Sequence, residues 1–205
     1  MVSYERLFED SGVLVNSCSV RPDLAQYLTR EEVDSMPNCT LAVRNRAAAA
    51  RLAARKLLSG AGFPQWNMPR KPGDPPDWPA GWTGSITHSD DYAAAAIARC
   101  DETAGVGVDI EPAEPLPNEL TDTIIVPGDV GGSYQEDIAG RILFCAKEAS
   151  YKAVYPIDRR FLEFADVIVD LGSGIATTCY GRKLELFVHL DHRIVVLAQL
   201  KASDN

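Results

Sequence analysis

What this chain lacks narrows its class before any motif is read. Its five cysteines (Cys18, Cys39, Cys100, Cys145 and Cys179) are odd in number and scattered, and no two form a C-x-x-C pair. That argues against a disulfide framework and against a zinc site, and for reduced thiols in the cytoplasm. No apolar run approaches the roughly 20 residues of a bilayer span. The opening Met1-Val-Ser-Tyr-Glu-Arg6 has neither the basic nor the apolar region of a secretory signal. No membrane partner is expected.

Positive charge is also short. Lys and Arg number 20 against 29 Asp and Glu, a formal charge of −9. Nucleic-acid binding needs a basic footprint, so none is expected, and any anionic ligand has to meet a local cluster of cations. Neither common nucleotide loop is present. There is no G-x-x-x-x-G-K-[ST], and Gly105-Val-Gly107-Val-Asp109 departs from G-x-G-x-x-G. The three histidines, His88, His189 and His192, show no acid–histidine–serine ordering.

What is present is a globular composition: 205 residues, 46 % hydrophobic and 24 % charged. That suffices for one large domain or two small ones. Residues 12–20 read as a strand and 22–36 as short helix, with Thr29 and Glu32 spaced as a capping box. Residues 41–58 hold many alanines without glycine or proline and read as a long helix. Residues 59–81 are a glycine- and proline-rich loop. Strands are expected over 82–89, 92–99 and 105–112, then a loop to 132 with one helical turn near 119–125. Ser133 and Glu136 form a second capping-box match, opening a helix that runs to Tyr155 and is ended by Pro156. Four further strands, read as antiparallel with short turns, fill 164–200. This order suggests two α+β halves, 1–103 and 104–205.

Four groups of residues carry possible chemistry. On the first long helix Arg44, Arg51 and Arg55 follow an i, i+7, i+11 progression and line one stripe, either a solvated face or an anion-facing one. Asp109 and Glu111 lie two apart on a strand, so both point to one face. Two such carboxylates repel unless a cation sits between them, or else they mark an ordinary solvated strand end. In Phe144-Cys-Ala-Lys147-Glu148-Ala-Ser-Tyr151-Lys152-Ala-Val-Tyr155, Glu148 and Lys152 are four apart on one helix face, with aromatics able to pack around them. They are a surface salt bridge or half of a metal and phosphate site. Adding Glu148 to Asp109 and Glu111 gives three hard oxygen ligands. Ser85-Ile-Thr87-His88-Ser89 offers several donors to a phosphate, or else a structural histidine.

Taken together, Gly107-Val-Asp109-Ile-Glu111, then Lys147-Glu148-Ala-Ser-Tyr-Lys152, with Ser85-Ile-Thr-His88-Ser89 upstream, closely resembles the 4′-phosphopantetheinyl transferases. The resemblance is greatest to their larger monomeric class, and it spans about residues 40–170. Trp78-Pro79, the 51–58 helix and Phe161-Leu-Glu-Phe-Ala-Asp166-Val also match, whereas Ala47-Ala48 stands where relatives often carry an acidic–aromatic pair. The resemblance implies an α+β fold of two similar halves in a pseudo-two-fold arrangement, each an antiparallel sheet packed on a long helix. It implies transfer of phosphopantetheine from coenzyme A to a serine of an apo carrier protein, with release of adenosine 3′,5′-bisphosphate. The carriers would belong to non-ribosomal peptide, polyketide, siderophore or fatty acid synthases, and the enzyme would be a monomer. Asp109, Glu111 and Glu148 would hold Mg2+, or Mn2+. Glu148 or Glu111 would take the serine proton, and Lys152 would meet the phosphates. His88, Ser89, Arg44, Arg51, Arg55 and Lys71 would hold the coenzyme. A carrier-docking patch is expected at Leu116, Leu120, Ile124 and Ile125, with a short core helix as the rival reading. A catalytically silent coenzyme A or carrier-binding module and a metal-dependent phosphodiesterase are the competing functions.

Overall fold

The computed structural model describes residue 8 and residues 11–69 and 73–202. The chain divides into two compact units, Met1–Asp101 and Glu102–Asn205. Lys71, one of the expected coenzyme ligands, lies outside the described residues.

The first unit is a three-stranded antiparallel sheet, β1 (Leu14–Ser19), β3 (Tyr92–Arg99) and β2 (Trp82–His88), in the order β1-β3-β2. Helix α2 (Leu41–Gly60) packs on it. Thr40 caps this helix by accepting from the Val43 amide. Ala47–Ala50, Ala53 and Ala54 are all buried, and so is every residue of β3 from Ala93 to Ala98. Methyl-sized side chains on both surfaces let the helix lie close to the central strand. Short helix α1 (Arg30–Asp34) starts at a reciprocal capping box: Glu32 N donates to Thr29 Oγ1, and Thr29 N donates to the Glu32 carboxylate.

The second unit is a five-stranded antiparallel sheet in the order β4-β8-β7-β6-β5. Its strands are β4 (Thr103–Pro112), β5 (Val167–Asp170), β6 (Ile175–Thr178), β7 (Lys183–Leu190) and β8 (Arg193–Lys201). Helix α3 (Asn118–Ile124) precedes the long α4 (Glu136–Asp158). Between α4 and the sheet lie Ile142, Val154, Leu184, Ile194 and Val196, each fully buried. Burial of each such side chain contributes about 1.5–3 kcal/mol.

Three expectations are corrected. Ser133 does not cap α4: the helix begins at Glu136 after Gln135, which makes no side-chain cap bond. Pro156 does not end it either. The helix continues to Asp158 and closes at Arg159, whose backbone turns left-handed with φ 51°. In the last turn a proline forfeits only one intrahelical hydrogen bond, and the Arg159 amide still reaches the Tyr155 carbonyl at 3.0 Å. The apolar patch after Pro112 is largely core. Leu116 and Ile124 are buried and Ile125 packs on the core, which leaves Leu120 exposed. Among the described residues no helix is long and apolar enough to cross a membrane.

Candidate functional site

Strand β4 and helix α4 meet along a matched ladder. Residues 105, 107, 109 and 111 share one face of the strand. Opposite them on the helix stand residues 153, 149, 145 and 141, four apart. A Cβ at Gly105 would lie 2.3 Å from the Ala153 carbonyl oxygen, and one at Gly107 would lie 1.8 Å from that of Ala149. The Cys145 thiol hydrogen-bonds Asp109, and Arg141 Nη1 donates to Glu111 Oε2 at 3.0 Å. The two periods agree because four helical residues rise about 6 Å and two strand residues about 6.6 Å. One half of the Gly-x-Gly-x-Asp-x-Glu motif is therefore packing. Its glycines admit the helix backbone, and that contact brings the two carboxylates against helix side chains.

Lys152 enters the same cluster. Its Nζ is 2.6 Å from Asp109 Oδ1 and 3.5 Å from the Val108 carbonyl oxygen. The i, i+4 spacing points to a Glu148–Lys152 pair, but the lysine's close carboxylate is Asp109. Burial lowers the Lys152 pKa, but Asp109, joined by Glu148 and Cys145, reverses this and raises it above the ordinary lysine value. Burial raises the Glu111 pKa, and the Asp109 charge raises it further against the pull of Arg141. Burial raises Glu148 too, opposed by Lys152 and reinforced by Asp109. No hydrogen bond or close ion pair holds the Glu148 carboxylate among the described residues. Asp109 is itself buried.

No group of three or more metal-ligating side chains is already gathered among the described residues. The donor chemistry nonetheless suits a hard divalent ion: three carboxylates, two of them with pKa values raised partly by Asp109, are relieved by a cation.

Beside Glu148 lies a mostly apolar cavity of about 370 Å³, lined by Tyr151, Phe161, Leu162, Phe164 and Val167 among others. The Tyr151 ring sits 5.2 Å from Tyr155 and 5.7 Å from Phe161, and Phe144 sits 5.8 Å from Phe164. Lys147 is buried under this wall. Its Nζ is 2.7 Å from Asp129 Oδ2 and donates to the Phe164 carbonyl at 2.9 Å. Asp129 in turn accepts from the Val126 and Val169 amides. Burial lowers the Lys147 pKa, offset in part by Asp129.

The expected coenzyme ligands lie on the first unit. Arg51 is buried, donates to the Met68 and Ala47 carbonyls, and has Nε 3.6 Å from the fully buried Glu32 carboxylate. Arg55 pairs with the same carboxylate and donates to the Trp66 and Tyr27 carbonyls. The counter-acid to this stripe thus comes from α1, beyond the helix that carries the arginines. Arg44 donates to the Met36 carbonyl at 3.2 Å, while its buried Nε has no hydrogen-bond partner. His88 is exposed at the end of β2, and Ser89 Oγ contacts Asp91 and the Tyr92 carbonyl.

No sequence motif assigns a site role to Arg141, Glu32 or Asp129. The signal for Arg141 was its place four residues before Cys145 and seven before Glu148. Glu32 shows itself in the capping box, which says nothing of its second role. Asp129 sits in a loop and has no periodicity to betray it.

Comparison with known proteins matches residues 36–98 to the 4′-phosphopantetheinyl transferase N-terminal domain and residues 105–199 to the 4′-phosphopantetheinyl transferase superfamily. The chain belongs to the 4′-phosphopantetheinyl transferase superfamily. It is 39 % identical over 127 residues to the 4′-phosphopantetheinyl transferase PptT of Mycobacterium tuberculosis, covering 60 % of this chain and 56 % of that protein. It is 36 % identical over 137 residues to the 4′-phosphopantetheinyl transferase Npt of Nocardia iowensis, covering 64 % and 62 %. With the 4′-phosphopantetheinyl transferase Svp of Streptomyces mobaraensis it shares 35 % over 145 residues, covering 63 % and 56 %. Each match spans less than two thirds of the relative's own length.

Proposed function

We propose that this chain is a monomeric transferase that moves 4′-phosphopantetheine from coenzyme A to a serine hydroxyl of an apo carrier protein, releasing adenosine 3′,5′-bisphosphate. The observation that carries this reading is the ladder that sets Asp109 and Glu111 of β4 against Lys152 of α4, with Glu148 one turn before the lysine. Asp109, Glu111 and Glu148 are the residues that would hold Mg2+, or Mn2+. When bound, the ion supplies charge to a pyrophosphate under attack.

The chain's own groups do the rest. Lys152 stays cationic through the acidic groups around it, Asp109 first, and is placed to meet phosphate oxygen and stabilise the departing one. Glu148 is the general base for the carrier serine. No arginine holds its carboxylate as Arg141 holds Glu111, so one of its oxygens is open to the serine hydroxyl. The apolar cavity beside Glu148 suits the pantetheine arm, a flexible chain with few charges. Arg44 and His88 lead the coenzyme ligands on the first unit, since Arg44 Nε has no partner and His88 is exposed. Ser89 and Lys71 join them. Arg51 and Arg55, largely engaged by Glu32 and backbone carbonyls, act in this reading through the charge and rigidity they give that segment. The carriers are those of non-ribosomal peptide, polyketide, siderophore or fatty acid synthases.

The test is release of adenosine 3′,5′-bisphosphate from coenzyme A with Mg2+, with and without apo carrier. Release that requires the carrier supports transfer. Equal release without carrier makes the chain a phosphodiesterase, and no release in either makes it a silent binding module.

A further inference from the structure

Arg141 is absorbed by no role above, yet it is the last rung of the ladder. Its side chain is 13 % exposed, and all three guanidinium nitrogens donate: Nη1 to Glu111 Oε2 at 3.0 Å, Nη2 to the Pro115 carbonyl at 3.0 Å, and Nε to the Glu114 carbonyl at 3.3 Å. A lysine has no such fork, so the site uses arginine's geometry as well as its charge. The two carbonyls belong to the chain just past β4, where Pro112 ends the strand. One side chain of α4 therefore fixes both the exit of β4 and the carboxylate of its last acid.

We propose that Arg141 is a positioning residue that holds the Glu111 carboxylate by one oxygen and leaves the other to a divalent cation. The inference rests on the proposed role of Glu111 as a metal ligand. Electrostatics alone predicts the opposite sign for its removal. A cation next to a metal site repels the metal, so loss of the arginine charge would by itself tighten metal binding. Loss of orientation weakens it, and residues that orient a metal ligand are typically worth roughly 10- to 100-fold in affinity.

The experiment is a Mn2+ titration followed by electron paramagnetic resonance, with coenzyme A present and no carrier, on the wild type, Arg141→Gln and Arg141→Lys. Melting curves check the fold of each. Mn2+ affinity is expected to fall about tenfold or more in Arg141→Gln, with only partial recovery in Arg141→Lys. Transfer in both variants should recover towards the wild-type rate at high Mn2+. Unchanged or tighter binding by Arg141→Gln overturns the positioning role. Should that variant not fold, wild-type affinity in Arg141→Lys overturns it instead. Absence of Mn2+ binding by the wild type removes the metal assignment itself and this inference with it, an outcome distinct from equal binding by wild type and variants.

Discussion

Replacing Gly107 by alanine tests the ladder that assembles the site. The new Cβ would lie 1.8 Å from the Ala149 carbonyl oxygen and 2.7 Å from the Ala153 amide nitrogen. Both are helix backbone atoms, so no rotamer change relieves the clash. To restore ordinary contact, α4 and β4 must separate locally by about 1 Å or more, and overpacking of this kind costs typically about 1–3 kcal/mol. With backbone on both sides the upper end applies, which lowers Tm by roughly 6–12 °C for a chain of this length. The same separation draws Glu148 and Lys152 away from Asp109 and Glu111. A misplacement of about 1 Å is worth about 100-fold in rate, so turnover should fall by about that factor in the protein that remains folded. The assay pairs a melting curve with transfer to an apo carrier. Gly60→Ala is the control: its Cβ meets nothing within 4 Å, and alanine favours the helix by up to about 1 kcal/mol. Wild-type Tm and turnover in Gly107→Ala would refute the close approach and the account of the motif built on it.

Further outcomes follow from the buried charges. Glu32→Ala strands two guanidinium groups against backbone carbonyls and should destabilise the first unit by about 3–5 kcal/mol in urea titration. A loss under about 1 kcal/mol would show the cluster to be incidental. Lys147→Met leaves Asp129 buried without its countercharge and should lose about 3 kcal/mol, part of which Asp129→Asn restores in the double variant. If the two losses simply add, the pair is not coupled. Glu148 binds its proton more tightly in the folded chain than in the unfolded one, so its ionisation opposes folding. That penalty is absent below the ordinary carboxylate range and grows as pH rises from there through the raised folded pKa. Glu148→Gln should therefore be more stable than wild type at neutral pH, lose that advantage near about pH 4, and transfer about 100-fold more slowly or worse. A neutral-pH Tm below that of wild type would contradict the sign.

The elements were largely legible because their periods were clean. The alanine run 41–58 and the alternation of 105–112 leave little choice, and the strand expected over 92–99 is the buried central strand β3. The ends of α4 differ from the sequence expectation for local reasons: a Ser-x-x-Glu spacing occurs without the cap, and a proline is tolerated where only one hydrogen bond is lost. For the site, spacing within one element placed Asp109 with Glu111 and Glu148 with Lys152. It could not show that Lys152 turns to Asp109, since that choice depends on how two elements pack. Arg141 and the Glu32–Arg51–Arg55 cluster were illegible for the same reason, each joining residues 19 or more positions apart. Alternation places Gly105 and Gly107 on one face of a strand, but only the packed structure shows the helix backbone lying against them.

The central claim is that the cluster around Asp109, Glu111, Glu148 and Lys152 transfers phosphopantetheine. Its most direct test is the intact mass of an apo carrier protein after incubation with this chain, coenzyme A and Mg2+. The account predicts a gain of one phosphopantetheine on the carrier serine, lost when that serine is alanine and when Glu148 is glutamine. An unchanged carrier mass across acyl, peptidyl and aryl carriers, with the protein folded and the coenzyme intact, would contradict it.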